Sequence, residues 1–195
     1  MSTTVEEKRG GRKSARERLL ETANRLFYAE GVQTVGIDRI LDESGVAKAS
    51  LYKTFGSKEA LIGAYLHGRH EGTVARLTAA IEAVEDPRER ILAVFDVQAR
   101  TFAEPDFNGC AFIEASAEAS EGSVIDQAAV EFRSWIREMF VRLAEGAGAA
   151  DPKRLARQLH ALYDGGIITA RMDHDPAIAA DTRAAAAALV DTARA

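Results

Sequence analysis

The stretch that decides the fold runs from residue 36 to residue 55 and reads GIDRILDESGVAKASLYKTF. Its apolar side chains recur at helical spacing on both sides of Gly45, which divides the stretch into two short helical patterns. Glycine adopts the positive φ that a sharp change of chain direction requires, and Val46 is placed to fill the space between two helices. We therefore predict two short helices joined by a tight turn. The small core around that turn would contain Leu26, Phe27, Ile37, Ile40, Leu41, Val46, Leu51 and Phe55.

The second of these helices combines amines and hydroxyls and carries no carboxylate between residues 48 and 54. The groups concerned are Lys48, Ser50, Tyr52, Lys53 and Thr54. Amines and hydroxyls form hydrogen bonds with phosphate oxygens and base edges. Two helices joined by a Gly-containing turn form the helix-turn-helix arrangement, whose second helix enters the major groove. The spacing favours binding to DNA, although any small three-helix unit with an incidental basic helix has the same pattern.

Capping signals predict further helices on both sides of this stretch. Ser14 and Glu17 have the spacing of a capping box, which opens a helix that ends at Gly31. Ser57 opens a long helix to about residue 84, in whose first turn Lys58 and the free amides are placed to hold a phosphate. Later starts are marked by Ser123 and by the Asp-Pro pairs at residues 86–87, 151–152 and 175–176. We predict an all-α fold of about nine helices.

The composition limits the class of protein. The 195 residues include 47% hydrophobic and 28% charged side chains, which fits a globular chain and excludes a disordered one. The longest apolar run, residues 184–190, is too short to cross a bilayer, and the first residues show no signal-peptide pattern. The single cysteine excludes an intrachain disulfide and a Cys-rich zinc site. We expect a soluble, cytoplasmic protein without a membrane partner.

Charge is distributed unevenly along the chain. Residues 1–60 carry 11 Lys/Arg against 9 Asp/Glu, whereas residues 61–195 carry 14 against 21. Most of the positive excess lies between residues 8 and 18, where we expect Arg12, Lys13 and Arg16 to hold the DNA backbone or enter the minor groove. A basic head on an acidic body fits a chain of which only the head meets a polyanion. A solvated tail kept soluble by its charge has the same pattern.

The same N-terminal residues resemble the TetR family of bacterial transcriptional regulators. The similarity runs without a gap over about residues 14–66, and its landmarks have the family's spacing. These landmarks are Leu19-Leu20-Glu21-Thr22-Ala23, Leu26-Phe27, Gly31, Gly36-Ile37-Asp38-Arg39-Ile40, Gly45-Val46-Ala47-Lys48, Leu51-Tyr52, Phe55, Ser57-Lys58-Glu59 and Leu61. Three positions depart from the family's pattern: Gly36 replaces a frequent Ser or Thr, Ala47 a frequent Ser and Thr54 a frequent His.

The resemblance implies a homodimer whose chains each have two domains. Residues 1–56 would form an N-terminal arm and the helix-turn-helix domain, with the motif from Gly36 to Phe55. Residues 57–195 would form a ligand-binding and dimerisation domain. The implied partners are double-stranded operator DNA and a small effector that releases a repressor from it, and no cofactor or metal is implied. The expected DNA-binding residues are Arg12, Lys13, Arg16, Thr34, Gly36, Lys48, Ala49, Ser50, Tyr52, Lys53, Thr54 and Lys58.

Aromatic side chains are concentrated between residues 95 and 140, which contain seven of them. Together with a few polar groups they have the composition of a small-molecule pocket, although single aromatic rings mostly fill protein cores. For the pocket that the resemblance implies, we expect an apolar or aromatic effector. The expected lining is Phe95, Gln98, Phe102, Cys110, Phe112, Trp135, Met139, His160 and Tyr163.

The last two predicted helices are rich in small residues, above all in the alanines between residues 177 and 188. Small side chains let helix backbones approach closely, so we expect the homodimer to form through these two helices. The same residues also suit packing within a single chain.

Two other classes of protein remain open at this point. One is a helical binding protein or chaperone, and the other is a small helical enzyme that uses His160 and Asp164. No nucleophile elbow, phosphate loop or dinucleotide fingerprint is present, so we predict that the chain is not an enzyme. Cys110 has apolar neighbours and predicts a buried, unreactive thiol. The His-Gly-Arg-His-Glu run at residues 67–71 has a spacing that suits a metal, but we interpret it as a solvated stretch.

Overall fold

The computed structural model describes residues 13–117 and 119–193. Within these residues the chain forms nine α-helices and no strand, which confirms the predicted fold class. The helices are α1 Ala15–Glu30, α2 Ile37–Ser44, α3 Lys48–Phe55, α4 Lys58–Glu82, α5 Pro87–Phe102, α6 Ala111–Ser116, α7 Val124–Gly146, α8 Pro152–Asp173 and α9 Ile178–Ala193. In this part of the chain no helix is both long enough and apolar enough to span a membrane.

Helices α1, α4, α5, α7 and α8 begin at the side-chain caps that the sequence predicts. At the start of α1 the Glu17 amide donates to Ser14 Oγ at 3.1 Å, and the Ser14 amide donates to Glu17 Oε2 at 2.7 Å. Asp175-Pro176 does not cap α9 directly, because the Asp175 carboxylate accepts the Ala177 amide and the helix begins only at residue 178. No side chain caps α6, so no start signal precedes it in the sequence.

The nine helices form two packed groups. Helices α1, α2 and α3 enclose the small core that the sequence predicts: Leu26, Phe27, Ile40, Leu41, Val46 and Leu51 are buried, and Ile37 and Phe55 pack against them. Helix α4 contacts α1 at one end and α5 and α7 further along. Helix α8 packs against α7 and α9, and α9 also packs against α5. Helix α4 therefore connects the two groups by packing against both of them.

Helices α8 and α9 approach closely at Gly166. A Cβ atom at this position would lie 3.0 Å from Thr182 Cγ2, which is tighter than ordinary van der Waals contact. Thr182 and Ala186 of α9 are buried. Part of the small-residue pattern in the last two helices therefore serves packing within one chain.

Replacing Gly45 with alanine is expected to lower the free energy of unfolding by about 1 kcal/mol. Gly45 has φ 62° and ψ 33°, a left-handed conformation that costs an L-residue ~1–2 kcal/mol. A Cβ there would meet Arg18 Nη1 at an unstrained 3.6 Å, so the cost is conformational. Urea unfolding measures it. Gly68→Ala, with open space in the middle of α4, is the control and should stabilise the chain by up to ~1 kcal/mol. Equal effects of the two substitutions would contradict this account.

Candidate DNA-binding interface and effector cavity

Helix α3 is held by one face and exposes the other. Leu51 is fully buried, and Val46 in the preceding turn is buried beside it. Around these anchors, Lys48, Ala49, Tyr52, Lys53 and Thr54 are exposed and Ser50 is half-buried. The helix is therefore fixed in place and still presents the predicted residues on one outer surface.

Several side chains of α3 are available for an external partner. The side chains of Tyr52 and Lys53 have no hydrogen-bond or ion-pair partner among the residues described. Tyr52 is 45% exposed, so its ring and hydroxyl are accessible to a partner. Lys48 Nζ lies 3.3 Å from Asp38 Oδ1 in an exposed ion pair, and Thr54 Oγ1 donates to the Ser50 carbonyl at 2.7 Å. An exposed pair of this kind is worth little and can open toward a phosphate.

The basic residues near the start of α1 lie in different environments. Arg12 lies outside the described residues. Lys13 Nζ pairs with the exposed carboxylate of Glu21 at 2.5 Å. The Arg16 guanidinium lies over the Phe55 ring, 5.7 Å from its centroid, which brings this cation to the end of α3. The contacts of these residues with DNA stay predictions.

Lys58 lies beside the loop between α1 and α2. Its Nζ donates to the Gln33 carbonyl at 3.4 Å, and partial burial lowers its pKa. Thr34 in the same loop is exposed, and Gly36 caps α2 through its backbone without a side-chain hydrogen bond. Three of the predicted DNA-binding positions, Thr34, Gly36 and Lys58, are thus brought to one place on the surface.

Arg18 has a role that the sequence did not reveal. Its Nη1 donates to the carbonyls of Ser44 at 3.0 Å and Gly45 at 3.2 Å, at the C-terminus of α2. A cation is favourable at this end of a helix, where carbonyl groups lack partners. In the sequence Arg18 is part of a basic run, which favours an exposed side chain that binds a polyanion. The structure instead ties α1 to the turn of the motif through this side chain.

A cavity of about 90 Å³ lies between α4, α5, α7 and α8, closed by the loop before α6. Five of the nine predicted lining residues border it: Gln98, Phe102, Cys110, Phe112 and Tyr163. Helix α1 also contributes to its wall through Tyr28. The cavity therefore touches both groups of helices.

The other four predicted lining residues do not border this cavity. Phe95 is fully buried, with its ring centroid 6.2 Å from that of Phe140 between α5 and α7. Met139 is buried in the core, and Trp135 is half-buried with its ring near that of His70. His160 is buried beside Asp164. All four residues lie in the core or pack against its edge, because the faces of α5, α7 and α8 that carry them turn toward other helices.

The polar residues that line the cavity and that the sequence did not predict include Tyr28, Arg69 and Arg76. The two arginines are seven residues apart on α4, so two turns of helix bring them to the same face. That periodicity is visible in the sequence, but only the packing of α4 shows which face meets the cavity.

A hydrogen-bonded clasp joins α1 to the loop beside the cavity. The Tyr28 hydroxyl accepts the Asn108 amide at 2.9 Å and donates to the Gly109 carbonyl at 3.1 Å. Asn108 Nδ2 donates in turn to the Tyr28 carbonyl at 2.6 Å. The Arg69 guanidinium lies 3.7 Å above the Tyr28 ring centroid. A molecule in the cavity would meet a residue of the helix-turn-helix domain directly.

The smaller sequence signals have structural explanations. Cys110 is half-buried where the sequence predicts a buried thiol, and desolvation raises the pKa of the thiol, which favours its protonated form at neutral pH. His67 Nε2 lies 3.4 Å from Glu71 Oε1 in an exposed pair, while the His70 ring packs on Phe132 with centroids 5.6 Å apart. Among residues 13–117 and 119–193, no three His, Cys, Asp or Glu side chains are grouped to hold a metal ion.

The buried His160 is expected to make the protein less stable in mild acid. Burial lowers its pKa, and the charges of Arg133 and Arg137 act in the same direction against the opposing effect of Asp164. The unfolded chain then binds more protons than the folded chain below about pH 6.5, so the unfolding free energy falls as the pH falls. Urea unfolding at pH 7.5 and 5.5 should show a smaller difference for His160→Gln than for the wild type. His174→Asn, at an exposed site, should keep the full difference, and equal differences for both variants would refute the role of His160.

Helices α8 and α9 leave apolar surface exposed on the side away from the core. Ile168 is 43% exposed and Met172 is 73% exposed, and Gly165 is exposed on the same face of α8. On α9, Ala184 and Ala188 are exposed one turn apart. This surface is the one that the predicted dimer would cover, and dimerisation through it stays a prediction.

The geometry defines a class of protein: a DNA-binding helix-turn-helix unit joined by one long helix to a larger helical domain. Residues 19–65 match the family model for bacterial regulatory proteins of the tetR family, and residues 87–186 match that of the tetracyclin repressor-like C-terminal domain. The chain therefore belongs to the TetR family of transcriptional regulators. Members of this family bind operator DNA and small-molecule effectors, act as dimers and are not enzymes.

Similar proteins agree with this assignment along most of the chain. The HTH-type transcriptional regulator LmrA of Bacillus subtilis is 28% identical over 159 residues, which cover 79% of this chain and 85% of LmrA. The structure of a TetR-family regulator from Streptomyces coelicolor is 33% identical, with a TM-score of 0.89 over 93% of this chain and 96% of that one. A putative regulator from Streptomyces avermitilis is 34% identical, with a TM-score of 0.82 over 93% and 98%.

Proposed function

We propose that the chain is a ligand-responsive repressor, released from its operator by a small molecule that binds in the cavity. The observation that carries the proposal is the shared wall at Tyr28, which places one residue of α1 both in the cavity and in the clasp. A molecule in the cavity can therefore act on the helix-turn-helix domain through direct contact with Tyr28. The site of action would be the cytoplasm, where bacterial operators lie.

We assign DNA contact to two sets of residues. Lys48, Ser50, Tyr52, Lys53 and Thr54 would read or clamp the major groove from α3, with Ala49 facing the bases beside them. The backbone contacts are assigned to Arg12, Lys13, Arg16, Thr34, Gly36 and Lys58. We retain residues 1–56 and 57–195 as the two functional domains in this proposal, since α4 begins at Lys58.

A second copy of the chain completes the proposed operator complex. Two recognition helices must be about 34 Å apart to enter successive major grooves on one side of the duplex. The exposed apolar residues of α8 and α9, with Ile168 and Met172 the largest, give a surface for the symmetric contact. Burying them between two copies would remove apolar side chains from water.

Release follows from a change in the position of α4 and of the clasp. Arg69 of α4 and Tyr28 of α1 touch each other and the cavity, so an occupant that shifts either one moves the N-terminal helices. By thermodynamic linkage, the effector weakens DNA affinity by the same factor as DNA weakens effector affinity, typically ~5–150-fold. The two recognition helices would then no longer match their half-sites together.

Selection of bound fragments from the source genome, followed by a transcription reporter, tests this function. The purified chain should enrich particular duplexes at moderate salt, and a promoter that overlaps such a duplex should be less active when the chain is expressed. Increased promoter activity would contradict the role of repressor. Failure to enrich any duplex even at low salt would contradict DNA binding altogether.

A further inference from the structure

One wall of the cavity is cationic and the others are largely apolar. Arg69 and Arg76 of α4 border it, while Glu104 is its one acidic lining residue in the part of the chain described and is exposed at the rim. Neither arginine forms an ion pair with a carboxylate among the described residues. The nearby Glu114 instead lies 3.8 Å from Arg171. The side of the cavity formed by α4 therefore carries positive charge that no carboxylate of the described chain neutralises by direct contact.

Arg69 is held in place but is not fully satisfied. Its guanidinium stacks on Tyr28 and lies 5.7 Å from the Tyr65 ring centroid, so its plane is fixed by aromatic side chains. Its Nε atom is buried without a hydrogen-bond partner. A buried donor without an acceptor is unfavourable, and a guanidinium pairs best with the two oxygens of a carboxylate. A planar anion would provide the acceptor that Arg69 lacks.

Gln98 of α5 lines the same cavity and carries an unsatisfied acceptor. Gln98 is 3% exposed, and its Nε2 donates to the Tyr163 carbonyl at 2.9 Å. That bond fixes the orientation of the amide, and the Oε1 atom is buried without a partner. A hydroxyl or N–H group of a ligand that reached this Oε1 atom would supply the donor that it lacks.

The remaining walls are aromatic and the space is small. Phe112 and Phe132 stack with centroids 4.0 Å apart, and Phe102 and Phe107 lie 5.0 Å apart. A volume of about 90 Å³ is of the same order as the ~150 Å³ cavity that accommodates a benzene ring. The space suits a body of one ring or a few carbon atoms.

We propose that the effector is a small carboxylate with a ring-sized apolar body and a hydroxyl group, such as a hydroxylated aromatic acid. Its carboxylate pairs with Arg69 and Arg76, its body packs on the phenylalanines, and its hydroxyl donates to Gln98 Oε1. This inference rests on the proposed function of the cavity and narrows it, since a purely apolar effector would leave Arg69 Nε and Gln98 Oε1 without partners.

The test measures binding of matched acids and amides to the full chain by calorimetry and by the shift in melting temperature. The probes are benzoate, 3- and 4-hydroxybenzoate, and the corresponding benzamides, with sodium chloride added to the amides so that the ionic strength is equal. The acids should bind at least about tenfold more tightly than their amides, and one hydroxybenzoate should bind more tightly than benzoate. Arg76→Gln, at the exposed rim, should remove the preference for the acid. Arg157→Gln, on an exposed part of α8 away from the cavity, should keep it.

Several results would overturn the inference. Equal affinity for acid and amide, an unchanged preference in Arg76→Gln, or no binding of any acid at millimolar concentration would each do so. DNA binding of the same samples without probe separates the two proposals: if fragments are still enriched, only the ligand class is wrong. If enrichment also fails, the proposed regulatory function is wrong as well.

Discussion

Replacing Tyr52 and Lys53 together with alanine is expected to weaken operator binding by roughly 100-fold or more while leaving the fold intact. Both side chains are exposed on α3 and have no partner elsewhere in the described part of the chain, so their loss removes no internal contact. Each specific base contact contributes ~1–3 kcal/mol, and the lysine contributes a phosphate contact or a base contact in addition. Fluorescence anisotropy with a duplex selected from the genome measures the change.

The salt dependence of binding separates the two contributions. Lys53→Ala alone should reduce the slope of log affinity against log salt by about one if this lysine meets a phosphate. Lys153→Ala is the matched control, since Lys153 is an exposed lysine at the start of α8. It should bind the operator like the wild type. If the double variant also bound like the wild type with an unchanged melting temperature, α3 would not be the recognition helix.

Phe95→Ala is expected to lower the free energy of unfolding by ~3–5 kcal/mol, a large share of the ~5–15 kcal/mol typical of a domain. Phe95 is fully buried and its ring packs near that of Phe140, so its removal leaves a cavity between α5 and α7. Denaturant unfolding followed by circular dichroism measures the loss. The result would show that this ring serves the core and not the effector.

Phe107→Ala provides the comparison on the cavity side. Phe107 is half-buried in the loop beside the cavity. The substitution Phe107→Ala should therefore lower the free energy of unfolding clearly less than Phe95→Ala does. It should instead change probe affinity, because it forms part of the wall. A larger loss of stability at Phe107 than at Phe95 would reverse the roles that the structure gives to these two rings.

The helix-turn-helix unit could be predicted from the sequence because its determinants are local. The capping box of Ser14 and Glu17, the positive φ of Gly45 and the spacing around Val46 each act within a few residues. Their agreement on one small core explains why the helix bounds and the buried face of α3 were predicted correctly.

The cavity was harder to predict because its lining depends on how distant helices meet. Phe95 and Phe102 lie seven residues apart on the same face of α5, yet only Phe102 reaches the cavity, because the helices opposite them differ along the length of α5. Arg69 and Arg76 were missed for a related reason: charged side chains on a long helix usually face water, and only the position of α5 reveals their second environment.

In the proposed function, the clasp between Tyr28 and the loop at Asn108 limits how the effector specificity can change. Because the same phenol ring borders the cavity and anchors α1, the proposed function implies that a Tyr28 substitution that admits a new effector would also change the affinity for DNA. Selection for a new inducer would therefore act more freely on the walls formed by α5 and α7. Engineering of an altered biosensor from this scaffold should start at those walls and keep the tyrosine.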